Sequence, residues 1–136
     1  MGQIYPDQQS IVLMYGAGFT KNKPDLARKF TRAYIRAARF YTDAIAHGSM
    51  SGPNASEVVS ILVKYSVTKD PEIHKAVIPP VIDPNGKLNV ESLRKDWQFF
   101  KDTGQIDGSV TVDSLLDTSF AEAAVSSLGR YTPGTK

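Results

Sequence analysis

The side chains able to do chemistry are few and scattered. The two histidines, His47 and His74, have neither a second His nor a Cys at ligand spacing, so a transition-metal site would have to gather carboxylates from afar. His47 suits the carbonyl end of a helix as a cation, and His74 the surface of a short helix. Asp113 and Asp117 stand four apart and share a face if that segment is helical. Paired carboxylates divide acid and base roles only where their surroundings push the two pKa values apart. The simpler reading is that each opens a helical turn and accepts from free N–H groups. They belong to an acidic stretch, Asp102, Asp107, Asp113, Asp117 and Glu122, with no Lys or Arg between 102 and 129. A count of 0 cysteines excludes a disulfide scaffold, a thiolate metal site and a Cys nucleophile together. No G-x-S-x-G elbow occurs. Gly16-Ala17-Gly18 fails as a dinucleotide fingerprint because the third glycine would fall at Lys21. The expectation is a protein that is not an enzyme, with no catalytic residue, metal ligand or cofactor.

The basic residues are more ordered. Between 21 and 39, Lys21, Lys23, Arg28, Lys29, Arg32, Arg36 and Arg39 stand against Asp25 alone, making +6. The remaining nine bases face thirteen acids, or −4, so the chain as a whole carries only +2. On a helix, Arg28, Arg32, Arg36 and Arg39 fall within about 80° of one another. Such a stripe can neutralise phosphates, with Ile35 or Phe40 beside it to touch bases. It lies nearly opposite the Leu26/Phe30/Ala37/Tyr41 face, which is the pattern of a solvated outer face. That reading prevails, and nucleic acid is not expected as a partner.

The elements that must position these residues are mostly helical. A length of 136 residues fits one domain, and 41% hydrophobic with 22% charged residues is enough apolar matter to fold. Ser10-Ile11-Val12-Leu13-Met14-Tyr15 reads as the one strand, residues 10–15, apolar enough to be buried on both faces. A lone strand leaves both edges with unpaired backbone groups, the mark of a piece of something larger. Pro24 and Gly48 bound a helix over about 24–46, with Leu26, Phe30, Ala33, Ala37, Tyr41 and Ala44 as its apolar face. Asn54 with Glu57 resembles a capping box before a helix over about 55–66. Asp70-Pro71 opens a shorter helix that Pro79-Pro80 must end, and Asp83-Pro84-Asn85-Gly86 is a turn. Asn89 caps a helix carrying Leu93, Trp97 and Phe100, and Trp97, Phe99 and Phe100 are expected in the core. Asp117 or Thr118 caps a last helix ending near Gly129. The whole is mostly α, about five helices over 24–129 plus one strand, with a patternless tail over 130–136 expected to be flexible.

The order of these residues resembles one family. The run Ile11 to Gly16, then Phe19, then Pro24-Asp25 leading into Phe30, Ala33 and Tyr34, is similar to the second lobe-crossing strand and following helix of periplasmic solute-binding proteins. These serve ABC importers of nitrate, sulfonates, taurine and thiamine-pyrimidine precursors. The resemblance continues through Asp70-Pro71-Glu72, Asp83-Pro84-Asn85-Gly86, Leu93 to Trp97, Gly104-Gln105-Ile106 and Asp117-Thr118-Ser119-Phe120-Ala121, spanning about residues 4–131. It implies a fragment of a two-lobed α/β fold, of which this chain would be the C-terminal half, its strand paired in the absent N-terminal half. It also implies capture of a small solute by hinge closure and delivery to an ABC permease, in the periplasm or another extracytoplasmic space. Ligand contact would come from Tyr15 and Gly16 at the end of the strand, although a tyrosine there also suits a core. Met1-Gly2-Gln3-Ile4-Tyr5-Pro6 lacks the basic-then-apolar order of a signal peptide, so the parent's leader is expected outside this sequence. The family has an enzyme branch that makes the thiamine pyrimidine, but the cysteine-rich motif associated with that branch is absent here. Two alternatives stand beside this reading: a free-standing helical interaction or nucleic-acid module, and a member of the pyrimidine-making branch. Alone, the strand is expected to pair with a second copy in a homodimer.

Overall fold

The computed structural model describes residues 7–132. They form seven helices: α1 (Ala17–Asn22), α2 (Pro24–Asp43), α3 (Ala55–Tyr65), α4 (Pro71–Ala76), α5 (Val90–Asp102), α6 (Val112–Leu115) and α7 (Ser119–Leu128). The mostly-α class is therefore met. The two helices beyond the expected five are α1 and α6, of 6 and 4 residues, too short to show a period. Their neighbours begin where local chemistry dictates. Pro24 occupies the first turn of α2. Asp70 accepts from the Glu72 N–H at 2.9 Å to start α4, and Asn89 from the Ser92 N–H at 3.2 Å to start α5.

The strand over 10–15 does not form. Among the described residues there is no sheet, only an isolated bridge between Ala46 and Ser49. A strand exists only through pairing, and among the described residues no backbone is hydrogen-bonded alongside this segment. Nor is it buried: Ile11 is 68% and Met14 81% exposed. Its two ends are nonetheless tied. The Gln9 N–H donates to Ser92 Oγ on α5 at 2.9 Å, and the Tyr15 hydroxyl lies 2.7 Å from Thr31 Oγ1 on α2.

The long helix α2 packs on α7, α1 and α3. Its buried residues are Ala27, Thr31, Ile35 and Ala38, a face turned roughly 120° from the expected one at 100° per residue. Leu26 and Phe30 stay about half exposed, and Ala33 and Ala37 are exposed as well. The helix is apolar on two sides. The side that packs against α7, whose Ala124 is buried, is the one that goes inside, and that contact decides. The remaining core is thin: Ala44, Val58, Val59 and Ala124 join it, and among the described residues Ile35 is the only large side chain fully buried. Phe99 and Phe100, expected inside, lie edge to face on the exposed surface of α5, while Trp97 is half-buried.

Past Asp43 the chain folds back. Ala46 and Ser49 exchange both backbone hydrogen bonds at 3.0 Å, and Gly52 N–H donates to the Ala44 carbonyl at 2.9 Å. Asn54 does not build the expected capping box. Its amide donates instead to the Phe40 carbonyl at 2.7 Å, pinning the start of α3 to the end of α2. At the other end Tyr131, inside the patternless tail, is held by Asn85 and Asp43, while residues 133–136 lie outside the described range.

Candidate functional site

Tyr15 stands at the centre of an aromatic cluster drawn from distant elements. Its ring meets Phe19 of α1 at 5.5 Å, Phe30 of α2 at 6.2 Å and Phe120 of α7 at 5.7 Å between centroids. The last two are edge-on, the favoured geometry for aromatic pairs. The hydroxyl is engaged by Thr31 and lies 3.3 Å from the Ala27 carbonyl. The tyrosine is half-buried, and Phe30 against it is about half exposed. Gly16 is exposed, sits at the N-cap of α1 with an ordinary extended backbone, and has open space where a side chain would project.

A second concavity lies on the far half of α2. A groove of about 400 Å³ runs between α2, α3, α4 and the extended 77–82 segment, walled by Tyr34, Tyr41, Leu62, His74 and Pro79. Burial pushes the Tyr41 phenol above its ordinary value. His74 is not a free surface residue, since its Nε2 lies 3.0 Å from the Thr68 carbonyl and fastens the α3–α4 loop. His47 lies outside the last turn of α2, in the 46–49 turn, where it takes a left-handed φ of 51°. The two histidines are not brought together, and no cluster of three His, Asp or Glu occurs among the described residues.

The carboxylates are engaged separately. Asp113 does not cap; it receives Arg94 at 2.6 Å, and that hydrogen bond holds its carboxyl below the usual range. Asp117 accepts the Ser119 N–H at 2.9 Å, and hydrogen bonds from Ser119 lower its pKa too. Both shifts run the same way, so neither group is kept protonated to act as an acid.

The arginine stripe is divided by the fold. Arg28 pairs with Asp25 on the exposed surface at 2.9 Å. Arg39 leaves the stripe: it donates to the Pro84 carbonyl at 3.0 Å, Asn85 Oδ1 at 3.2 Å, the Leu128 carbonyl at 3.4 Å and the Gly129 carbonyl at 2.6 Å. Its guanidinium also lies 5.9 Å from the centre of the Tyr131 ring. Sequence reasoning gave this residue to solvent, because partners 45 to 90 positions away leave no local signal.

Tyr131 donates to Asp43 Oδ1 at 2.5 Å, and burial together with that carboxylate pushes its pKa up to about 12 from 10.0. The folded chain then holds this proton where the unfolded chain loses it. The stabilisation is intact below about pH 10 and is lost as the pH rises through about 12. Urea midpoints of the wild type and Tyr131→Phe are expected to differ less at each step above about pH 10. A difference that stays constant to the alkaline limit would contradict this.

No family model, curated protein or solved structure matches the chain. No helix among the described residues is long and apolar enough to cross a membrane.

Proposed function

We propose that this chain is the C-terminal segment of an extracytoplasmic solute-binding protein that captures a small solute and hands it to an ABC permease, without covalent chemistry. The observation that carries the reading is surface. The chain exposes 9958 Å², where a compact monomer of its mass exposes about 7,000 Å². Granting the ten residues outside the described range all that an extended chain exposes, about 1,600 Å², still leaves an excess of about 1,400 Å². An obligate interface removes about 1,000–2,500 Å² from each partner, so the excess is of the size that a missing half would cover. Exposed Ile11 to Met14, Leu26 and Phe30 lie in the segments that resemble the lobe-crossing strand and its following helix. Tyr15, half-buried, is the residue that this reading assigns to solute contact, and Gly16 adjoins it.

The test joins this chain to the residues encoded upstream of it and measures calorimetric binding of nitrate, taurine, alkanesulfonates and pyrimidine precursors. Micromolar binding by the joined protein, with none by the 136-residue chain, is expected. Equal binding by the short chain, or none by either, would refute the reading. A second reading, a free-standing helical interaction module, is favoured by the apolar groove between α2, α3 and α4. In neither reading does the basic stripe serve nucleic acid, because Arg39 is engaged and Arg28 is paired. Labelled DNA and RNA are expected not to bind below about 1 μM at about 0.15 M salt. Length-dependent binding tighter than that would reverse this conclusion.

A further inference from the structure

We infer that the 11–14 strap is a pairing edge for a second copy of this chain, forming a two-fold dimer by antiparallel strand addition. The strap is apolar, and no backbone hydrogen bond reaches the N–H groups of Ile11 to Tyr15 from the described residues, although the Ile11 carbonyl accepts from the Gln9 side chain at 2.7 Å. Exposed edges of this kind are normally blunted by Lys, Pro or an inward charge. From Gln8 to Phe19 the sequence contains neither a charged residue nor a proline. The strap is also held in place at both ends. Gln9 is bound by Ser92 and its side chain accepts from the Asn89 N–H at 2.8 Å, while Tyr15 is bound by Thr31. Holding the ends removes much of the ordering entropy that strand addition otherwise has to overcome.

A second copy is the occupant that these features favour. An antiparallel pair centred between Val12 and Leu13 sets each apolar residue against another and satisfies both copies at once, the self-complementary geometry of a two-fold interface. Leu26 and Phe30, about half exposed, lie on the α2 turns next to the Tyr15 end of the strap and supply apolar contact beyond the strand. The surface excess per chain is enough for such an interface. This inference does not depend on the solute-binding reading, because it concerns the mass of the 136-residue chain and not its ligands.

Light scattering after size exclusion is expected to find twice 14.9 kDa at about 100 μM, falling toward one chain on dilution. Val12→Pro removes a donor from the edge, and Met14→Lys, at the most exposed position of the strap, places like charges near the pair. Each is expected to raise the dimer dissociation constant about tenfold or more, with helical circular dichroism retained. Hydrogen exchange at 11–15 is expected to slow with rising concentration in the wild type only. A monomer at about 100 μM, an open series of larger species, or an unchanged dimer in Met14→Lys would each overturn the proposal. So would dimers whose 11–15 amides exchange as fast as in the monomer.

Discussion

Replacing Arg39 by alanine is expected to destabilise the chain by about 2–3 kcal/mol, lowering Tm by roughly 6–12 °C. The side chain joins three parts of the fold: α2, the 83–86 turn and the end of α7. Its acceptors at Leu128 and Gly129 are among the last carbonyls of α7, which the helix cannot satisfy internally. A charged donor bonded to such groups contributes more than a neutral one, although partial exposure limits the sum. Arg39→Lys is expected to recover under half of the loss, because a point ammonium cannot span the fork from Pro84 and Asn85 to Gly129. Urea unfolding followed by circular dichroism measures both. A loss below about 0.5 kcal/mol for the alanine variant would show that the contacts are exchanged for water without consequence.

The second large effect is expected where Gly86 meets Ile35. Gly86 has a φ of +70°, and a Cβ there would come within 2.6 Å of Ile35 Cδ1 and 3.2 Å of Ala121 Cβ. Gly86→Ala therefore combines about 1–2 kcal/mol of left-handed strain with an overpacking cost of about 1–3 kcal/mol. Ile35→Ala is expected to cost about 3–4 kcal/mol, since it truncates a large, fully buried side chain of a thin core. The two sites are coupled. Ile35→Val removes the clashing Cδ1 atom, so Ile35→Val with Gly86→Ala is expected to be less destabilised than the two single losses added, by about 1 kcal/mol. A double-mutant cycle closing to within about 0.3 kcal/mol of additivity would mean that the turn moves away from α2 instead.

These two sites also mark where sequence reasoning stopped. Pro84-Asn85-Gly86 was legible as a turn from composition, and Arg39 as a base on a helix. That the turn lies against α2, with Arg39 bonding its carbonyls and Ile35 filling the space above Gly86, depends on partners 45 or more residues away. Asn54 with Glu57 three residues on signals a cap, and that signal is strictly local. The Asn54 amide serves Phe40, which only the fold brings near.

What the sequence determined by itself was the helical class and the places where most helices begin. Pro24, Asp70-Pro71 and Asn89 act within about one turn of their own positions, so their effect needs no knowledge of the rest of the chain. The apolar run ending at Tyr15 was equally plain, as was the want of any cysteine or histidine pair for metal chemistry. Tertiary structure alone decided which of two apolar faces α2 buries, because either satisfies the helical period and only the close approach of Ala124 on α7 separates them. It likewise decided that Ile11 to Met14 remain a strap, for a continuous apolar run supplies half of a strand and the other half is a neighbour's backbone.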